Sequence, residues 1–247
     1  MTQSQGNAKN ILVGASPLFL SVDDSTVVGY AENMEPGTAK SGTAIVSPAT
    51  SGPSTKVPAY SSSASYVTSL NALDTDAAGG TNAAAYRNVG FTNNGLQITY
   101  NPTYYSVTVD QLLDTAKLFK SAMEVMIATE MSEGTLENIA AVFGQAASTL
   151  STTGTGTGKK DTLGLEAGAL GAAPTERQLI AVGQAPTASS TTSERVYYAR
   201  RVLSVQQSQF SLARTTPTTF PVTFRLLPDA AYAGSEYGKI IDRVLVA

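Results

Sequence analysis

Cysteine, histidine and tryptophan are all absent from these 247 residues. Without cysteine there is no disulfide framework, no thiolate metal site and no cysteine nucleophile. Without histidine the commonest general base and the commonest transition-metal ligand are missing, and a Ser-His-Asp triad cannot be built. Carboxylate-only chemistry and Ca²⁺ or Mg²⁺ sites survive this exclusion, and little else does. Charge is scarce too: charged residues make up 14% of the chain, against about a quarter in an ordinary globular protein. No apolar stretch is long enough to span a membrane. The opening segment MTQSQGNAKNILVGASPLFL carries one lysine, and Gly14 and Pro17 break its apolar run, so it does not read as a secretory leader. Asn101-Pro102-Thr103 is a glycosylation sequon blocked by its proline. Folding in a cytoplasm without export is the expectation.

What is present is a chain with 42% hydrophobic residues, enough for a real core. The polar remainder is largely Ser, Thr, Asn, Gln and Gly, which suits strands and turns more than surface helices. The net charge of −3 speaks against a nucleic-acid binder with a basic face. The charge is also unevenly spread. Up to Glu194 there are nine basic and sixteen acidic residues, a balance of −7; from Arg195 there are seven basic and three acidic, a balance of +4. Head-to-tail attraction between identical copies and two separately solvated faces both fit this split.

Hydrophobic periodicity supplies the elements. Ile11 to Val22 reads as a first strand, bent near Gly14 to Pro17. Residues 23–82 form a long Ser/Thr/Ala/Pro/Gly stretch in which Tyr60, Tyr66, Val67 and Leu70 offer anchors, so it is expected to drape over a neighbour. In YRNVGFTNNGLQITYNP, Tyr86 to Pro102, Asn94-Gly95 signals a tight turn, Leu96, Ile98 and Tyr100 alternate, and Pro102 ends the strand. Tyr104 to Leu113 resumes as a strand. Phe119 to Glu133 places Met123, Val125, Ile127 and Met131 on one face and Glu124 and Glu130 on the other, the pattern of a half-buried antiparallel strand. Thr135 to Gly144 is the one helix, with Thr135 as N-cap, Glu137 in the first turn and Leu136, Ile139, Ala140 and Phe143 as its apolar face. Ala146 to Gly158 is a flexible tract. Further strands are read at Gln178 to Val182, Arg195 to Val205, Gln209 to Arg214, Phe220 to Leu226 and Ile240 to Val246. The sum is a mainly β protein: a β-sandwich or barrel with one flanking α-helix and long loops. It forms a single domain over 1–247, with a loop insertion at about 23–82 and a flexible loop at about 145–176.

Candidate chemical motifs are weak. TGTGTGKK, Thr153 to Lys160, fails the phosphate-loop pattern twice: position 153 is not glycine, and Lys160 rather than Ser or Thr follows Lys159. Glu130 and Glu133 suggest paired carboxylates, but no basic partner lies near them in sequence, and a solvated rim is the default. No catalytic residue, cofactor or metal ligand is expected. Arg200-Arg201 on a strand puts one arginine on each face; a plain surface role is the default, and a carboxylate of a neighbouring subunit for one of them is the sharper reading. Asp110 to Glu137 holds six acids and two bases. It is either a solvated sheet face or an acidic lining past which something negative slides.

The run VGFTNNGLQITYNPTYYSVTVDQLLDTAKLFKSAMEVMIATEMSEGTLENIAAVFG resembles the major tail tube proteins of long-tailed bacteriophages. The matching pieces are Val89-Gly90, Asn94-Gly95, Tyr100-Asn101-Pro102, Val107 to Gln111, the strand Glu124 to Glu130 and the helix Thr135 to Gly144. ILVGA at Ile11 to Ala15 is similar to the family's opening strand. The resemblance implies rings, usually of six copies, that stack into a virion tube, with viral DNA passing through an acidic lumen without specific binding. It implies partners that are copies of the chain and other tail proteins at the tube ends. Asp110, Glu124 and Glu130 would face the lumen, and Tyr104, Tyr105, Arg200 and Arg201 would lie at subunit contacts. Residues 23–82 are longer than a tube core needs and would serve ring-to-ring or lateral contact. The chain stops directly after its last strand, so no appended domain is expected. A secreted or surface β-sandwich that binds carbohydrate is the competing reading, which the missing tryptophan and leader disfavour.

Overall fold

The computed structural model describes residues 16–21, 86–112, 114–171, 174–186, 193–206, 208–212, 214–230 and 232–244. The expectations for residues 11–15 and for all of 23–82 lie outside them. The fold is mainly β with one α-helix. The strands are β1 Leu18–Ser21, β2 Tyr86–Asn88, β3 Thr92–Thr108, β4 Thr115–Met131, β5 Leu150–Thr153, β6 Lys160–Leu163, β7 Arg177–Gln184, β8 Ser193–Ser204, β9 Phe220–Leu226 and β10 Gly238–Val244; helix α1 is Leu136–Val142. Eight strands make one antiparallel sheet in the order β2-β1-β7-β8-β9-β4-β3, with β10 also paired to β8, while β5 and β6 form a separate ribbon. This path is open, with β2 and β3 at its edges.

The core follows from alternation. On β4, Val125, Ile127, Thr129 and Met131 are buried in turn, as period two requires when one face meets the core. Phe220, Val222, Phe224 and Leu226 of β9 do the same, leaving Thr223 and Arg225 on the other face. All of these buried residues but Thr129 share an apolar cluster with Leu18 and Leu20 of β1, Leu179 and Ala181 of β7, and Ala141 and Val142 of α1. Strand β1 is buried at every position, and β7 from Arg177 to Val182, so neither shows a polar face.

Helix α1 has the expected cap: the Thr135 side chain accepts from the Asn138 amide, and Gly144 closes the end at φ +67°. Its buried face differs from the expected one. Asn138, Ala140, Ala141 and Val142 are buried, while Phe143 is exposed. A buried polar network sets this rotation. Asn138 accepts from the Arg87 guanidinium at 2.7 Å and donates to the Val89 and Glu133 carbonyls, both at 2.9 Å. Three hydrogen bonds make a fully buried asparagine tolerable, and they tie the helix to β2.

Three strand and turn expectations are corrected. Asn94-Gly95 does not join two strands; it is a bulge inside β3. Asn93 pairs with Glu130 and Gln97 with Ala128, so three residues of β3 stand against Thr129. Asn94 and Gly95 both have positive φ, 61° and 65°, the conformation the dipeptide favours. Here it expels extra residues instead of reversing the chain, and the Thr129 hydroxyl fastens the bulge by donating to the Gly95 carbonyl at 2.9 Å. Pro102 does not end the strand; it lies within β3, opposite Met123. An edge strand accepts proline because one side of it needs no ladder bonds. The tract after α1 holds two 3₁₀ turns and the β5–β6 ribbon, with Thr152 bonded to Asp161 at 2.6 Å. Gln209 to Arg214 forms no strand among its described residues.

Candidate functional site

Two features of the sheet stand out together: an arm and a groove. Strand β4 pairs with β9 only from Met126 to Met131, while β3 and β4 stay paired from end to end. From Val125 to Thr115 the two strands therefore run on as a two-stranded arm, roughly 35 Å long at the usual strand rise. Nearly all of its residues are exposed. Aromatic and aliphatic side chains stand on both faces. Tyr104 opposes Lys120 on the face that continues the core, with Leu118 beyond it; Tyr105 opposes Phe119 on the other face. Leu118 is 61% exposed, Phe119 48%, Tyr105 66% and Leu112, in the tip turn, 57%. Cations lie against this surface: Lys117 Nζ sits 4.8 Å from the Phe119 ring centre, and Lys120 sits over Tyr100. The Tyr100 hydroxyl accepts from Lys120 at 3.1 Å and holds that ammonium above its ordinary pKa.

The groove arises where the sheet forks. Strand β8 gives the same edge to two partners in succession, β10 at Ser193 to Ala199 and β9 at Val202 to Ser204. The changeover falls at Arg200-Arg201, where β8 also carries an irregularity against β7. Above Leu226, β10 follows β8 while the arm runs on without it. Between them opens a largely apolar cavity of about 530 Å³, walled by Ile98, Tyr100, Met123, Val125 and Ile127 on the arm side and by Tyr197, Tyr237 and Ile240 across it, with Leu226 among its lining and Lys120, Glu236 and Lys239 the charged residues. Among the described residues, no strand pairs with the cavity side of β4 from Thr115 to Val125 or with the outer edge of β10.

The expected site residues fall into separate places. Arg200 and Arg201, expected on opposite faces, share one: Ala199 and Val202 both join the core cluster, so the irregularity between them turns both arginines to the other face. Arg200 is 3% exposed, stacked 3.5 Å from the Tyr232 ring centre, and its Nε donates to the Ser235 carbonyl. Arg201 grips Glu176 with two hydrogen bonds of 2.8 and 2.9 Å and donates to the Pro228 carbonyl. Both guanidiniums are thus engaged within the chain, holding the turn that leads from β9 to β10. Tyr104 and Tyr105 lie on the arm, on opposite faces. Glu124 and Glu130 share one face of β4, on the order of 20 Å apart. Glu124 faces Arg225 at 3.7 Å, and Glu130 accepts from Asn93 at 3.2 Å. Asp110 is not beside them on a strand face; it sits in the tip turn, roughly 50 Å along the arm from Glu130. The three acids do not form a cluster. Glu133 is parted from Glu130 as well: its carboxylate accepts from the Phe91 amide at 2.9 Å, packed over Gly90. No group of three or more potential metal-ligating side chains occurs among the described residues.

The TGTGTG tract is a ribbon tip. Gly156 to Gly158 form a 3₁₀ turn between β5 and β6, and Lys159 pairs with Asp161 at 3.1 Å. Sequence reasoning missed the arm and the groove. The signal for the arm was present: alternation on both sides of Thr108 to Thr115 with aromatics on both faces. The groove had no such signal, because it depends on where β9 stops. No helix among the described residues is long and apolar enough to cross a membrane. No protein-family model and no curated protein matches the chain.

Proposed function

We propose that this chain is a structural subunit that assembles with copies of itself into stacked rings and a hollow tube, as in the phage tail tubes its sequence resembles. The observation that carries this reading is the β3–β4 arm. A two-stranded ribbon is marginally stable alone in water. An arm with apolar side chains on both faces and an open β3 edge is a surface that a monomer gains nothing by exposing. Burial against a neighbour would turn both liabilities into contact area. In such a tube the face carrying Glu124 and Glu130 lines the bore. Beside them on this face stand the polar Gln97, Thr99, Asn101 and Thr223, the single cation Arg225, and the apolar Met126, Ala128 and Pro221. Viral DNA would slide past a surface of this kind without specific contacts, since tight phosphate binding needs clustered cations. The chain would be made in a host cytoplasm and reside in the virion tail.

Negative-stain electron microscopy and light scattering across a wide range of protein concentration test the reading. Rings or hollow tubes are the expected result. A monodisperse monomer at every concentration would overturn it and make a glycan-binding screen the next experiment.

A further inference from the structure

We infer that the groove at the sheet fork receives the tip of the β3–β4 arm from a second copy of the chain. The inference rests on the self-assembly reading and adds to it which two surfaces meet. The groove cannot take its own arm. The root of that arm, Ile98 to Ile127, forms one wall of the cavity and is paired rigidly as antiparallel ladder. An occupant has to come from elsewhere, and the chain itself carries an element of suitable chemistry. The tip presents Val109 and Leu112, both exposed, beside the acids Asp110 and Asp114. The groove presents an apolar lining with two lysines, Lys120 and Lys239, against one acid, Glu236. Apolar meets apolar, and an acidic turn meets a mouth of net positive charge. The two walls also offer unpaired strand edges, so an entering strand finds backbone partners as well as side chains. Few polar side chains converge inside, which speaks against a small polar ligand that needs fixed hydrogen-bond partners.

Arm and groove are different surfaces, so the contact is heterologous. Each copy offers both, and repetition builds a ring or a filament rather than a closed pair. This gives a test by mixing. Leu112→Asp spoils the arm and Ile240→Asp spoils the groove; both positions are exposed, 57% and 65%, so the fold is not at stake. Each variant alone is expected to lose assembly. Mixed in equal amounts they are expected to give a discrete dimer, since one copy keeps a good groove and the other a good arm. If wild-type protein assembles and the mixture stays monomeric, the docking is wrong.

A second measurement uses the cysteine-free background. Val109→Cys and Ile240→Cys are made separately, mixed, and treated with a bifunctional maleimide. The expected product is a covalent dimer containing one of each. Assembly with links only between two arm thiols, or with none, overturns the docking and leaves self-assembly standing. Failure of the wild-type chain to assemble overturns both.

Discussion

Gly90 and Glu133 show how one residue pair joins two parts of the fold. Gly90 lies between β2 and β3 at φ +79°, and a Cβ there would meet the Glu133 carboxylate at 2.0 Å. That carboxylate cannot step aside freely, because it accepts from the Phe91 amide. Gly90→Ala is therefore expected to cost about 2–3 kcal/mol, part from the left-handed backbone and part from the displaced carboxylate. Urea unfolding measures it, and a loss below about 0.5 kcal/mol would contradict the stated cause. In a Glu133→Ala background the penalty should shrink to the backbone part alone. The Arg195–Asp242 pair makes a pH prediction. Arg195 donates twice to the Asp242 carboxylate, once at 2.7 Å through Nη2, and holds that carboxyl below its ordinary value of 3.8. A depressed folded-state pKa means the pair's stabilisation is present above about pH 4 and is lost as pH falls through the lower folded value. The pair is partly exposed, so its size is within about 1 kcal/mol. The melting-temperature gap between wild type and Arg195→Gln should be constant from pH 5 to 8 and close below pH 4. A gap unchanged down to pH 2 would rule out the linkage.

At the scale of elements, type was easier to foresee than purpose. The Asn94-Gly95 pair adopted the turn conformation its chemistry favours, yet the register of β3 against β4 made it a bulge. Helix α1 began at its foreseen cap, yet Asn138 rather than Phe143 faced inward, because three buried partners awaited an amide there. The arm is the element with the clearest consequence. Tyr105 and Phe119 pair on a largely exposed face, where only the Lys117 ammonium is seen against the Phe119 ring. Replacing both by serine should change monomer stability by less than about 0.5 kcal/mol, since exposed substitutions away from buried features are nearly neutral. The same change should abolish assembly in light scattering. A monomer that unfolds several degrees earlier, with assembly intact, would reassign these rings to the core of their own subunit.

The whole molecule offers two driving forces for association: the apolar arm and groove, and the split of charge along the chain. Salt separates them. Attraction between exposed opposite charges is screened within about 3 Å at 1 M salt, whereas apolar burial persists and is strengthened by sulfate. Assemblies are expected to survive 1 M sodium chloride and to gain stability in ammonium sulfate. Dissolution at high salt would move the driving force to charge and weaken the case for the arm.

Composition and period alone determined the class of this protein. The lack of cysteine and histidine excluded a thiol nucleophile and an imidazole base or ligand, and period-two alternation over Met123 to Met131 and Phe220 to Leu226 marked the strands and their buried faces. These properties are local, so they can be read from neighbours in the chain. Where the arm parts from the sheet, which edge β10 takes on β8, and whether Arg200 faces a partner or its own Tyr232 are long-range outcomes. They depend on pairings between residues far apart in sequence, and no local pattern encodes where a partner strand stops. The groove exists because β9 ends at Leu226 while β4 and β3 continue, and only the folded chain decides that.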